Sequence, residues 1–248
     1  NTNKLDPGHF LHFKLENKTY QKIKYWDIYD AYSKPKIQIS ESEAIEETER
    51  ILKKAFDYRM VADVPVGVFL SGGYDSSAVA AILQRDRMEK IKTFTIGFHE
   101  SKYNEAPFAS EVAKHLGTNH TEYYCTTDDA RGILEYLPYY YDEPFGDSSA
   151  IPTILVSRLA RKDVTVSLSA DGGDEVFGGY NRYPIIQNMD NRLKRVPKAV
   201  RNALYQTSGW INPETIPVLK EKKLIGQRYS KFRKLLRESN VTNYLKSM

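Results

Sequence analysis

A chain of 248 residues, 41% apolar and 27% charged, can bury a core large enough for one substantial domain, with or without an extension. No apolar run approaches the ~20 residues that span a bilayer, and the N-terminus lacks the basic-then-apolar order of a signal peptide, so a cytoplasmic protein is expected. The net charge of +4 hides an asymmetry: residues 191–248 hold 14 Lys and Arg against 3 Asp and Glu, a net +11, which leaves −7 for residues 1–190.

Near the N-terminus, Leu11-His12-Phe13-Lys14-Leu15-Glu16 and Lys22-Ile23-Lys24-Tyr25 alternate apolar and polar side chains, which predicts a hairpin or two extended pieces. From Ser40 to Asp63, Ala44, Ile45, Thr48, Ile51, Leu52, Ala55 and Phe56 recur at helical spacing. They predict a long amphipathic helix capped by Ser42, with Glu46 and Glu47 in its first turns where negative charge is favoured. The chain then alternates: a strand at 64–70, a helix at 75–86, a strand at 92–98, a helix at 105–117 closed by Gly117, a strand at 120–125, helices near 127–140 and 149–161, and a strand at 164–169. Apolar strands alternating with helices specify a parallel sheet covered on both faces, whose ligands bind at the carboxyl ends of the strands. The one cysteine, Cys125, excludes an intrachain disulfide, and inside a strand it reads as a small packed side chain rather than a nucleophile. Past Tyr183, Pro184, Pro197, Pro213 and Pro217 break the chain into short helices. Tyr229, Phe232, Leu235 and Leu236 keep helical spacing there, so a solvated basic helix face is preferred to an RNA surface.

Two loops carry chemistry. Ser71-Gly72-Gly73-Tyr74-Asp75-Ser76-Ser77 joins the first parallel strand to the helical pattern Ala78, Val79, Ile82, Leu83. A strand that ends in Gly-Gly and opens a helix aims backbone N–H groups at one point, which is how proteins hold phosphates. The loop has neither a Gly-Lys-Ser/Thr ending nor the glycine spacing of the dinucleotide fold. Asp75 among three serines instead suits a divalent cation held between carboxylate and phosphate; capping of the helix by Asp75 is the competing reading, and the two are compatible. A flexible Ser/Gly linker would not be clamped between a buried strand and a helix. The second loop places Asp171, Asp174 and Glu175 within five residues, directly after the apolar strand Val164-Thr165-Val166-Ser167-Leu168. In isolation such a run is a solvated turn or a weak calcium loop; at a strand end it points to a site.

These stretches resemble a known family. Val64-Pro65-Val66-Gly67-Val68-Phe69-Leu70 with Ser71 to Ser77 resembles the pyrophosphate loop of the N-type ATP pyrophosphatases. Ser169-Ala170-Asp171-Gly172-Gly173-Asp174-Glu175-Val176-Phe177-Gly178-Gly179-Tyr180 resembles the acidic loop of the synthetase domain of glutamine-dependent asparagine synthetases. Asp142-Glu143-Pro144-Phe145-Gly146-Asp147-Ser148-Ser149-Ala150-Ile151-Pro152 and Leu5-Asp6-Pro7-Gly8-His9-Phe10 resemble the same family, so ordered matches cover residues 5–183.

The resemblance implies an α/β fold: a parallel doubly wound sheet of the N-type ATP pyrophosphatase (adenine nucleotide alpha hydrolase-like) type, with a helical C-terminal extension. Residues 1–39 would connect from a missing N-terminal glutaminase domain, 40–183 would form the synthetase domain, and 184–248 a truncated basic helical extension. The implied activity is that of an ATP-dependent carbon–nitrogen ligase, which adenylates a carboxylate, most simply the side chain of aspartate, releases pyrophosphate and lets ammonia displace AMP. Expected cofactors and partners are ATP, Mg2+, the carboxylate substrate, ammonia from a glutaminase domain absent from this chain, and a second copy in a homodimer; no membrane or nucleic acid is expected. By resemblance Ser71, Gly72, Gly73, Ser76 and Ser77 hold pyrophosphate, Leu70, Ile96, Gly97 and Ser169 line the adenine and ribose site, and Asp75 and Asp174 hold the metal. Asp171, Asp174 and Glu175 form the catalytic set, and Asp147, Ser148 and Ser149 face the acceptor pocket. The family commonly has glutamate where this chain has Asp171, which is one methylene shorter, and glycine where it has Ala170. A charge-stabilising lysine is expected downstream, with Lys194 and Lys198 as candidates. Two alternatives stay open: the same adenylation on a sugar acid or in a ring closure, and a nucleotide-binding or tRNA-interacting module without turnover.

Overall fold

Alternation near the N-terminus becomes antiparallel pairing. His9–Lys14 (β1) runs against Thr19–Lys24 (β2), with Phe10 opposite Ile23 and His12 opposite Gln21. A computed structural model describes residues 3–100, 104–213 and 225–237, and the chain divides into two compact units, 1–58 and 59–248. In the first unit, Asp27 accepts from Tyr29 N at 2.7 Å and opens the short helix Ile28–Tyr32 (α1), which sequence periodicity missed because five residues complete barely one turn. The predicted long helix is Glu41–Met60 (α2), and its cap is Ser40 rather than Ser42. Ser40 Oγ accepts from Glu43 N at 3.3 Å while Ser40 N donates to Glu43 Oε2 at 2.8 Å, a reciprocal box that holds the Glu43 carboxyl below the usual range. Glu41 and Glu43, not Glu46 and Glu47, are therefore the first-turn acids.

The second unit follows the predicted alternation: Val66–Phe69 (β3), Tyr74–Arg85 (α3), Lys92–Phe98 (β4), Ala106–Leu116 (α4), Asn119–Cys125 (β5), Thr127–Leu134 (α5), Leu137–Tyr140 (α6), Ala150–Ala160 (α7) and Val166–Leu168 (β6). The strands form one parallel sheet in the order β5-β4-β3-β6, so β3 is internal and β6 stands beside it. Alternation along β4 sends its side chains to two helical layers. Phe94, Ile96 and Phe98 face clusters built on Leu159, Ala160 and Val164 and on Cys125, Ile133, Ile154 and Leu155. On the other face a Cβ on Gly97 would stand 2.9 Å from Ala106 Cβ, so that glycine lets α4 approach the strand. The doubly wound α/β reading therefore holds. Burying a side chain as large as Phe94 stabilises by ~1.5–3 kcal/mol, and Phe94 is 1% exposed at the centre of this core. Burial also pushes the Cys125 thiol up to about 11, as befits a packed side chain.

The helix predicted near 127–140 is two. Thr126 opens α5 with a capping box to Asp129, and the second piece starts afresh with Pro138 in its first turn. Gly117 closes α4 in the left-handed region at φ 72. The acidic loop hides a further five-residue helix, Gly173–Phe177 (α8). Pro184 lies in the first turn of Arg182–Lys194 (α9) and opens that helix rather than breaking it, while Pro197 precedes Lys198–Ser208 (α10). A further helix, Ile225–Arg237, packs on α10 with Leu236 buried and Tyr229 OH donating to Ser208 O at 2.7 Å. Pro217 lies outside the described residues. Among the described residues no helix is long and apolar enough to cross a membrane.

Candidate functional site

β3 delivers Leu70, 2% exposed, to the end of the sheet, where Leu70 N donates to Phe94 O at 2.9 Å and Thr95 Oγ1 donates to Leu70 O. The turn that follows is tied to the start of α3. Ser71 N donates to Ser76 Oγ at 3.1 Å, the two hydroxyls stand 2.9 Å apart, and Gly73 N donates to Ser71 Oγ at 3.3 Å. Gly72 has φ +81, and a Cβ there would lie 2.6 Å from Ala109 N and 2.7 Å from Phe108 C, so both its conformation and its contact require glycine. Gly73 is the N-cap of α3 and supplies no side-chain acceptor. The first-turn N–H groups of this 12-residue helix thus lack a side-chain cap, the condition under which a helix start receives an anion. Asp75 is the second residue of the helix and not its cap, which removes the capping reading.

The acidic loop leaves the neighbouring strand. β6 pairs in parallel with β3, Leu168 opposite Val68, so the two loops start side by side. Left-handed Gly172 (φ +95) and Gly178 (φ +68) bracket α8. A Cβ on Gly173 would stand 2.5 Å from Asp75 Oδ2, so the Asp75 carboxylate rests directly on the second loop. A Cβ on Gly179 would collide with Asp174 Oδ1, so the Asp174 carboxylate lies against that glycine. Together the loops wall a cavity of about 690 Å³.

Leu70, Ser71, Gly73, Asp75, Ser76, Ile96, Ser169, Asp171 and Asp174 all line this cavity. Ser169 Oγ donates to Asp171 Oδ2 at 2.7 Å and fixes that carboxylate at the rim. Four expected residues do not line it. Gly72 faces Phe108 and Ala109, Gly97 lies between Tyr124 and Ala106, and Ser77 Oγ is buried with no partner among the described residues. Glu175 accepts from Tyr180 OH at 2.6 Å, which holds its carboxyl low and pushes the phenol up to about 12. Sequence reasoning missed Thr95, Glu105 and Thr153 in the wall. A hydroxyl between Phe94 and Ile96 in an apolar strand was the available signal for Thr95; nothing marks the other two.

A second cavity of about 570 Å³ shares Phe69, Thr153 and Ser167 with the first and adds Tyr140, Ser157, Arg158 and Arg161. Arg158 Nη2 donates to Tyr140 OH at 3.3 Å. Asp147, Ser148 and Ser149 line neither cavity; Asp147 accepts from Ser149 N at 2.8 Å in a local turn, which lowers its carboxyl. Lys194 pairs with Asp190 at 2.5 Å, and Lys198 is exposed at the start of α10. Among the described residues no three His, Cys, Asp or Glu side chains converge as a complete metal cage. Two carboxylates beside an open helix start suit a cation that takes its other ligands from phosphate and water, as magnesium does.

The asparagine synthase family matches residues 47–247. A putative glutamine-hydrolyzing asparagine synthetase 2 from Methanocaldococcus jannaschii is 42% identical over 205 residues, 81% of this chain and 38% of that protein. Glutamine-hydrolyzing asparagine synthetase 1 from Bacillus subtilis is 32% identical over 178 residues, 72% of this chain and 28% of that protein. The chain thus spans well under half the length of these relatives. Among solved structures, a glutamine-dependent NAD+ synthetase from Acinetobacter baumannii with bound ADP aligns over 90% of this chain and 48% of that one, at 16% identity and a TM-score of 0.41, too loose a likeness to bear on function.

Proposed function

The chain belongs to the asparagine synthase family, and we propose on that footing that the cavity between the β3 and β6 loops performs ATP-dependent amidation of a carboxylate, with aspartate the simplest acceptor. The observation that carries this is the convergence of an open helix start and two acids, Asp75 and Asp174, on one cavity at adjacent strand ends.

The reaction has two displacements. An acceptor carboxylate oxygen attacks the α-phosphorus of ATP, the bridge to the β-phosphate breaks, and pyrophosphate leaves with the electron pair. Ammonia then adds to the acyl carbon of the mixed anhydride, loses a proton, and AMP departs. The first-turn amides of α3 with Ser71 and Ser76 meet the growing charge on pyrophosphate, which stabilises the transition state more than bound ATP. Asp75 and Asp174 would hold Mg2+, whose chemistry when bound is to neutralise phosphate charge. Leu70 and Ile96 offer apolar wall to the adenine, and Ser169 directs Asp171, the group nearest in kind to a base for the ammonia adduct. Gly72, Gly97 and Ser77 act in this scheme by shaping the wall from behind. The adjoining cavity, with Arg158, Arg161 and several hydroxyls, suits the acceptor's remaining anionic group. Ammonia would come from glutamine hydrolysed elsewhere, as the names of the relatives suggest.

Pyrophosphate release with ATP, Mg2+, ammonium and a panel of carboxylates tests this reading. Release with aspartate supports it in full, and release only with another acid moves the acceptor. Nucleotide binding with no release for any acid would replace the ligase by a non-catalytic binding module. Asp75→Asn should weaken MgATP binding about tenfold or more while leaving the melting curve in place; unchanged affinity by calorimetry would remove Asp75 from the metal.

A further inference from the structure

The acids of the second loop sit on a support that the reaction scheme does not use. Helix α8 has five residues, no side-chain N-cap, and left-handed glycines at both ends; around Gly172 there is open space. Such a helix has little of its own to fix its roll. The chain that follows supplies it. Gly179 N donates to Asp174 O at 3.0 Å, and Tyr180 OH donates to Glu175 Oε1 at 2.6 Å. The Tyr180 ring is in turn held on two sides, by the Arg182 guanidinium 4.3 Å from its centroid and by Tyr183, edge-on at 5.5 Å. Consecutive helical residues point about 100° apart, so anchoring one side chain sets the direction of the next. Glu175 is drawn to Tyr180 and lies outside the cavity, while Asp174 lines it.

We propose that Tyr180 is a positioning residue: by holding Glu175 it sets the roll of α8 that presents Asp174 to the cavity. This rests on the reading of that cavity as an MgATP site. It assigns Glu175 to the same support and gives it no contact with the reactants.

Calorimetric titration of ATP, with and without Mg2+, separates this from the alternatives. Tyr180→Phe and Glu175→Ala should each weaken MgATP binding about fivefold, the scale of one net hydrogen bond, and leave metal-free ATP binding unchanged. Their double variant should be no weaker than either single one, because both cut the same link. Glu175→Gln, whose amide oxygen still accepts from the phenol, should stay within about twofold of wild type. Tyr180→Phe binding MgATP like wild type would overturn the proposal, and so would Glu175→Gln as damaging as Glu175→Ala, which would put the charge itself at the site. Glu175 is exposed, so its variants keep the test open if Tyr180→Phe folds poorly. Wild-type protein that binds no MgATP would fail the reading of the cavity itself, and this inference with it.

Discussion

The two loops that wall the cavity leave adjacent parallel strands, yet they are held in unlike ways. The first is braced by the body of the fold: Ser76 is buried, Gly72 is pressed against the start of α4, and the strand beneath packs on Phe94. The second is tethered by its own returning chain, through Gly179 and Tyr180, and meets the first loop where the Asp75 carboxylate rests on Gly173. A buried strand therefore fixes a loop only where the loop's own residues reach the core; otherwise a local tether must do it. A loop of small Ser and Gly side chains can afford close packing, whereas one carrying three acids must stay near water.

That contrast makes ordered predictions. Phe94→Ala removes the support beneath the first loop and should cost ~3–5 kcal/mol in chemical denaturation. A loss below about 1.5 kcal/mol would mean that the site collapses around the gap and that the bracing is slack. Gly72→Ala combines a left-handed backbone at ~1–2 kcal/mol with overpacking at ~1–3 kcal/mol, roughly 2–5 kcal/mol together. Gly172→Ala has a similar φ but nothing within 4 Å of the new methyl, so it should cost only ~1–2 kcal/mol. Equal losses at the two glycines would break the comparison.

Much of this was legible in the residues, and the limits have physical causes. The alternation from 64 to 169 fixed the order of strands and helices, since period 2 and period 3.6 differ over runs of seven residues such as Lys92–Phe98. Short helices escaped because α1 and α8, at five residues each, complete barely more than one turn. Residue type does not separate Ser40 from Ser42 as the cap, because both are Ser with a Glu nearby, and only the backbone decides which carbonyl starts the helix. At the site, Asp171 and Asp174 could be placed from their strand, because a loop must begin where its strand ends. Glu175 could not, since one helical step turns a side chain from the cavity toward Tyr180, and nothing in the run Asp174-Glu175 reveals the roll.

The smallest expected effect is also the most discriminating, because titration reaches the two loops by different routes. His120 lies on β5 with Nδ1 2.9 Å from Thr93 Oγ1 and with Nε2 buried and unpartnered among the described residues; burial lowers its pKa from the usual 6.5, against the opposing pull of Glu122. Its unfolded form binds the proton more readily, so the stability it contributes is complete above pH 6.5 and is lost as pH falls toward the folded value. That loss belongs to the sheet and should loosen both loops alike. Glu175 is lowered from 4.5, chiefly by the Tyr180 hydrogen bond, so its tether is complete above that pH and fails as pH falls through the lower folded value. Hydrogen exchange, corrected for intrinsic rate, should therefore show protection at Ser71 and Gly179 declining together below pH 6.5, then a further decline at Gly179 alone below pH 4.5. Glu175→Gln should erase only the second step. A second step that appears equally at Ser71 would show that the acidic loop has no separate tether, and the division between a core-braced loop and a self-tethered one would fall.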